Sequence, residues 1–172
     1  YYRPATMLSG DFFNVLRLSD HHAGVLICDV MGHGVRAALI GALARGLVER
    51  FASVAGDPGE FLTGLNRELA RILKQAEIDA FASAFYFVAD MEAGELRYSN
   101  AGHPSALLLR RDARIVEPLR SGGRKQMPLG LLRETSYASC RTKLSDRDSI
   151  LLFTDGLYER SEEHTSELQS PY

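Results

Sequence analysis

Two short runs of apolar, aromatic and β-branched residues open the patterned part of the chain, 11–18 (DFFNVLRL) and 25–30 (VLICDV). The polar stretch Ser19-Asp20-His21-His22-Ala23-Gly24 separates them. Runs of this length around a turn-forming stretch predict an antiparallel hairpin. From Val35 the period changes. Val35, Leu39, Ile40, Leu43, Leu47, Val48 and Phe51 recur at three and four, with Arg36, Arg45, Glu49 and Arg50 between them, which predicts an amphipathic helix ending near Ser53. Ala55-Gly56-Asp57-Pro58-Gly59 interrupts the pattern. Asp57 before Pro58 has the chemistry of an N-cap, and Phe61, Leu62, Leu65, Leu69, Ile72 and Leu73 mark the buried face of a second helix.

Strand-like alternation returns at 81–91 (FASAFYFVADM), 95–100 (ELRYSN) and 105–111 (SALLLRR). The short connections Glu92-Ala93-Gly94 and Gly102-His103-Pro104 predict a three-stranded meander. Residues 115–118 predict an edge strand, and 119–127 a basic loop whose Arg120, Arg124 and Lys125 suit a solvated surface. Strands are also predicted at 137–144 and 150–154. The order β-β-α-α-β-β-β with hairpin-length links implies α+β architecture with antiparallel sheets. Runs 25–30, 81–88 and 150–153 are apolar enough to be covered on both faces. They are the expected central strands of a sandwich of two sheets flanked by helices.

Composition narrows the class. With 172 residues and 45% hydrophobic content, the chain is long enough for one domain that buries roughly 70% of its unfolded surface. The net charge of −2, from 20 basic and 22 acidic residues, offers no basic block for nucleic acid or an anionic membrane. Cys28 and Cys140 form no metal-ligand or disulfide spacing, which suits a reducing cytoplasm and inert thiols. No apolar run approaches the roughly 18 residues of a membrane span. The opening Tyr1-Tyr2-Arg3-Pro4, without an initiator Met, reads as part of a longer protein.

The candidate chemistry gathers around Asp29, which leaves an apolar strand just before the turn Val30-Met31-Gly32-His33-Gly34. Such an acid either caps backbone N–H groups or holds a cation. Asp11 opens the first strand and Asp29 closes the second, so a hairpin sets them at one sheet edge. Asp155 closes the last strand, and if that strand runs alongside, three carboxylates meet. They would repel one another without hard cations, and an oxygen-only set favours Mg²⁺ or Mn²⁺ over Zn²⁺.

The segments YRPATMLSGDFFNV, CDVMGHGVRAALIGALAR, ELRYSNAGHPSALLLRR, MPLGLL and ILLFTDGLYE resemble, in order and spacing, the metal-dependent protein serine/threonine phosphatases of the PPM superfamily. The likeness is to their bacterial SpoIIE-like, RsbU-like branch. The resemblance implies an α-β-β-α sandwich and two Mn²⁺ or Mg²⁺ ions between the sheets. It also implies hydrolysis of phosphoserine or phosphothreonine without a phosphoenzyme. On this likeness Asp29 bridges both metals and the Val30 carbonyl is a neighbouring ligand. Asp11 matches the acid of a Gly-Gly-Asp motif, although Ser9 replaces the first glycine and Asn14 stands where a further Asp is usual. Asp155 matches the acid of Thr-Asp-Gly. His33 is a candidate general acid, with a packing or turn role as the alternative. Asn100, Gly102 and His103 match an Asn-Ala-Gly-His segment that shapes a loop near the site, and Arg3 could meet a phosphate.

One departure stands out. Relatives continue to a final strand with another metal-binding Asp, whereas 161–172 is polar and resembles translated DNA-adaptor sequence. The expected organisation is therefore an incomplete phosphatase domain at 1–160 followed by a non-native tail. The lost strand and ligand would weaken the metal site and expose a sheet edge. The expected substrate is a phosphorylated anti-sigma-factor antagonist, with a sensory domain upstream and no nucleic-acid or direct membrane partner. The rival readings are a catalytically impaired scaffold of the same fold and a hydrolase of small phosphoesters.

Overall fold

The computed structural model describes residues 10–121, 126–154 and 156. Its elements run β1 (Phe12–Arg17), β2 (His22–Val30), α1 (Gly34–Arg50), a 3-10 turn (Ala52–Val54), α2 (Pro58–Gln75), β3 (Ala82–Asp90), β4 (Glu95–Ala101), β5 (Leu107–Arg110), β6 (Ile115–Pro118), β7 (Cys140–Lys143) and β8 (Ser149–Leu151). Five strands form one antiparallel sheet in the order β1-β2-β3-β4-β7. Three form a second, β6-β5-β8. The helices pack on one face of the larger sheet and the smaller sheet packs on the other. Two apolar clusters result. One joins Leu26, Cys28, Tyr86 and Val88 to Ile40 and Val48 of α1 and to Phe61, Leu65 and Leu69 of α2. The other joins Phe85, Phe87, Leu96 and Tyr98 to Leu108 and Leu119. This is the two-sheet antiparallel sandwich with helices that the sequence implies. Among the described residues, no helix is long and apolar enough to cross a membrane.

The hairpin forms with a shorter turn than the polar stretch implies, because β2 already begins at His22. The Ser19 hydroxyl accepts the His21 and His22 amides, closing the turn early. Gly24 is a strand residue, and a Cβ there would collide with the Tyr86 phenol, which itself donates to the Ala55 carbonyl at 2.9 Å. Two larger differences concern the sheets. The expected meander breaks after β4, since β5 crosses into the second sheet. Strand 150–154 is not central either: only Ser149–Leu151 pair, with β5, and Leu151 is exposed. Alternation within a strand reports which faces are apolar and carries no information on which sheet it joins.

Helix α1 shows a different departure. The face turned to the sheet carries Ala37, Ile40, Gly41 and Ala44, while Val35 and Leu39 are 63% and 67% exposed. The small residues are needed because α1 lies against the turn before β1. A Cβ on Gly41 would stand 2.9 Å from the Gly10 carbonyl oxygen, and one on Gly10 would stand 3.1 Å from Ala37 Cβ. The helix also ends at Arg50, earlier than expected, before the 3-10 turn.

Helix α2 matches its sequence signal. Asp57 caps it, accepting the Gly59 and Glu60 amides at 2.9 and 3.0 Å. Residues 137–139 are not strand, contrary to the pattern, because side chains of α2 and its cap recruit them. Tyr137 N donates to the Thr63 hydroxyl, and the Ser139 hydroxyl donates to Asp57 at 2.6 Å while accepting the Gly59 amide. Burial opposes ionisation of Asp57. Hydrogen bonds from Ser139, Glu60 and Gly59 and the charge of Arg97 outweigh it, holding the carboxyl below its usual range. A depressed folded-state pKa gives stability that is present above the unfolded value, about 3.9, and lost as pH falls through the folded one. Asn also caps helices but carries no charge. In urea titrations the advantage of wild type over Asp57→Asn should therefore be full at neutral pH and shrink below about pH 4. A pH-independent difference would refute the linkage.

Asn66 on α2 has no solvent exposure. Its Oδ1 accepts Gly130 N at 2.9 Å, and its Nδ2 donates to the carbonyls of Leu132, Thr135 and Arg133 at 2.9, 3.2 and 3.3 Å. One side chain thereby fixes residues 130–135. The same segment is tied to the larger sheet by reciprocal backbone bonds between Leu129 and Ala82, at 2.8 and 3.0 Å.

Candidate functional site

The register of the first hairpin places its acids. Phe12 lies opposite Cys28 and Arg17 opposite Ala23, so one step further out Asp11 stands opposite Asp29. On the other side of β2, Asp29 pairs with Ser83 of β3. Side chains alternate along a strand. Val25 and Ile27 pack into the cluster between the sheets, so Asp29 points to that side, as do Ser83, in step with Phe85 and Phe87, and Asp11, in step with Phe13. Three strands thus present Asp11, Asp29 and Ser83 in one cross-strand row at the rim of the inter-sheet space.

The electrostatics agree with this placement. Burial, then the charges of Asp29 and Asp11, push the Cys28 thiol well above its ordinary range, so it stays protonated on the opposite face. The Val30 carbonyl also belongs here: a Cβ built on Gly10 would sit 3.3 Å from it, which lays that oxygen against the turn leading into Asp11. The turn after Asp29 depends on Gly32 and Gly34, at φ +92° and +78°. His33 between them is extended, exposed, and occupies the N-cap position of α1 without capping it. Asn14 is not part of the row. It lies opposite Leu26 and alternates to the helix side with Phe12 and Leu16.

A third strand end arrives from the other sheet. His103 is buried, at 5% exposure, in the loop between β4 and β5. Its Nδ1 lies 2.7 Å from the Ser83 hydroxyl and its Nε2 lies 3.1 Å from the Phe153 carbonyl oxygen. Asn100 holds the loop by accepting His103 N at 2.8 Å and donating to the His103 carbonyl at 2.9 Å. Gly102 adopts φ +75°, and a Cβ there would press on Pro128 and Gln126. The 150–154 segment therefore does not run beside the hairpin, as its apolar pattern suggested, but it reaches the same rim through His103. Asp155 and Arg3 lie outside the described residues. Ser83 was not singled out from sequence, although a serine in phase with Phe85 and Phe87 on an otherwise apolar face was a usable signal.

Among the described residues, no three His, Cys, Asp or Glu side chains gather into a metal cluster. The donor set that does converge consists of the carboxylates of Asp11 and Asp29 and the carbonyl of Val30, all hard oxygens. Facing carboxylates on paired strands repel, and a divalent cation of the Mg²⁺ or Mn²⁺ type relieves that repulsion. The residues fit such an ion.

The chain is similar to known proteins in sequence and fold. The family model described as Stage II sporulation protein E (SpoIIE) matches residues 19–170. Phosphoserine phosphatase RsbP of Bacillus subtilis (strain 168) is 29% identical over 158 residues, which cover 91% of this chain and 38% of that protein. The crystal structure of the RsbU and RsbW domains of Rv1364c from Mycobacterium tuberculosis superposes with a TM-score of 0.75 at 30% identity, covering 93% of this chain and 42% of that one. The PP2C phosphatase domain of SpoIIE from Bacillus subtilis superposes with a TM-score of 0.69 over 88% of this chain and 43% of its own; at 19% identity it shows the fold alone. The chain thus spans about two fifths of the length of these proteins.

Proposed function

Because this chain belongs to the SpoIIE family of PP2C-type phosphatase domains, we propose that it hydrolyses phosphoserine or phosphothreonine on a regulatory protein, using two Mn²⁺ or Mg²⁺ ions. The observation that carries the reading is the alignment of Asp11 opposite Asp29 at the inter-sheet rim. When bound, such ions lower the pKa of water and neutralise the phosphoryl oxygens. Asp29, flanked by Asp11 and Ser83, would bind such an ion from the centre of the row. Asp11 and the Val30 carbonyl would bind it from the hairpin, and Asp155 would be a further ligand by the Thr-Asp-Gly motif it matches in sequence. His33, exposed at the start of α1, gives a proton to the departing serine or threonine oxygen. The name of RsbP supports a phosphoserine substrate. The protein substrate fitting this branch is an anti-sigma-factor antagonist, acted on in the cytoplasm.

The full-length protein should turn over both p-nitrophenyl phosphate and a phosphoserine peptide with Mn²⁺. It should fall to background in EDTA and recover when Mn²⁺ is restored. Turnover that persists in EDTA would overturn the metal-dependent reading, and no turnover with either Mn²⁺ or Mg²⁺ would favour a scaffold.

A further inference from the structure

Through its side chain, His103 touches both Ser83 in the row of the larger sheet and the chain leaving β8. We propose that it is a positioning residue, holding the Phe153 main chain at a fixed distance from Asp29 by way of Ser83. The proposal rests on the metal-site reading above and extends it.

Chemistry gives each bond a direction in the neutral ring. A carbonyl oxygen only accepts, so Nε2 carries the proton and donates to Phe153 at 3.1 Å. In the neutral ring Nδ1 then accepts from the Ser83 hydroxyl at 2.7 Å. Ser83 is the register partner of Asp29 on the same face, so the relay runs from β2 through β3 to the imidazole and across to the other sheet. The ring cannot swing away. It is buried, and its own backbone N–H and C=O are both taken by Asn100. Ala84 bridges to Gly102, anchoring the loop to β3 beside Ser83. The sheets also meet through apolar contacts and through Arg110 of β5, which donates to the Thr142 hydroxyl and the Lys143 carbonyl of β7 and to Asp148 just before β8, at the end remote from Phe153. At the Phe153 end the pair of hydrogen bonds made by His103 sets the register of the chain against β3. The segment so placed is 152–154, and the next residue in sequence is Asp155. If Asp155 is a metal ligand, as proposed above, holding the main chain that precedes it would support its grip on the ion, as partners behind metal ligands do elsewhere.

The test compares Mn²⁺ affinity by calorimetry with melting temperature in EDTA, in the full-length protein. His103→Ala should weaken Mn²⁺ binding by about 10- to 100-fold, the usual effect of losing such a partner. His103→Gln, whose amide can donate toward Phe153, should restore most of it, and Ser83→Ala should show an intermediate loss. A structural role alone would lower the melting temperature while leaving the Mn²⁺ affinity of the folded protein unchanged, and that result overturns the proposal. Should His103→Ala fail to fold, Ser83→Ala and His103→Gln decide: wild-type affinity in the first, or a loss in the second as great as in Ser83→Ala, refutes it. Asp29→Asn separates the two levels. If it abolishes Mn²⁺ binding while the His103 and Ser83 variants bind normally, only the positioning role fails. If it too binds normally, the metal site itself is misplaced.

Discussion

Asp29→Asn is expected to reduce Mn²⁺-dependent phosphatase turnover by more than about 100-fold, because even residues standing behind metal ligands contribute about 10- to 100-fold. The substitution keeps shape and hydrogen-bonding capacity and removes one charge from the centre of the row. In the hairpin Asp29 faces Asp11 directly, so the amide also relieves a like-charge contact between paired strands. The variant should therefore fold at least as well as wild type without metal while losing turnover. That combination separates it from a variant that is inactive because it is unfolded. Measured kcat with Mn²⁺ and melting temperature in EDTA decide the matter; wild-type turnover in Asp29→Asn would remove Asp29 from the site.

The second large effect concerns folding. Asn66→Leu should destabilise the domain by about 3 kcal/mol, since it removes a fully buried amide that holds the Gly130 N–H and the part-buried carbonyls of Leu132, Arg133 and Thr135. For a chain of this size that is a melting temperature lower by about 6–12 °C. Asn66→Asp discriminates further. It keeps an acceptor for Gly130 but turns a second oxygen toward three carbonyl oxygens, so it should be more damaging at neutral pH than at a pH where the carboxyl is protonated. A loss below about 1 kcal/mol for the leucine variant would show that the 130–135 segment is held by other contacts.

Local signals were legible wherever the relevant interaction is close in sequence. The Asp57-Pro58 pair located the start of α2, and the hairpin placed Asp11 opposite Asp29 because a short turn leaves strand pairing few choices. What escaped was non-local. Periodicity turned Val35 and Leu39 inward, yet the helix rotates them out so that Ala37 and Gly41 can meet the Gly10 backbone, a contact across about thirty residues. The apolar run at 150–154 looked central because hydrophobicity records burial and not the identity of the neighbour, which is β5. The roles of Asn66 and Ser83 were out of reach for a related reason, even where the phase of Ser83 marked it as unusual. A single polar residue in an apolar pattern has no meaning until its partners arrive, and here they lie 64–69 residues away for Asn66 and 20 for Ser83.

The strand that carries Asp11 toward the site also lies at the border of the larger sheet. Among the described residues, nothing pairs with the outer side of β1, and Phe13 and Val15 stand more than half exposed on the face that Asp11 shares. Its six residues, FFNVLR, include one charge, Arg17, against the lysines and prolines that usually discourage strand addition. A net charge of −2 adds little repulsion between copies. Any addition of a second copy along the outer side of β1 would therefore crowd the same strand that carries Asp11, setting association against keeping the acid row open to solvent.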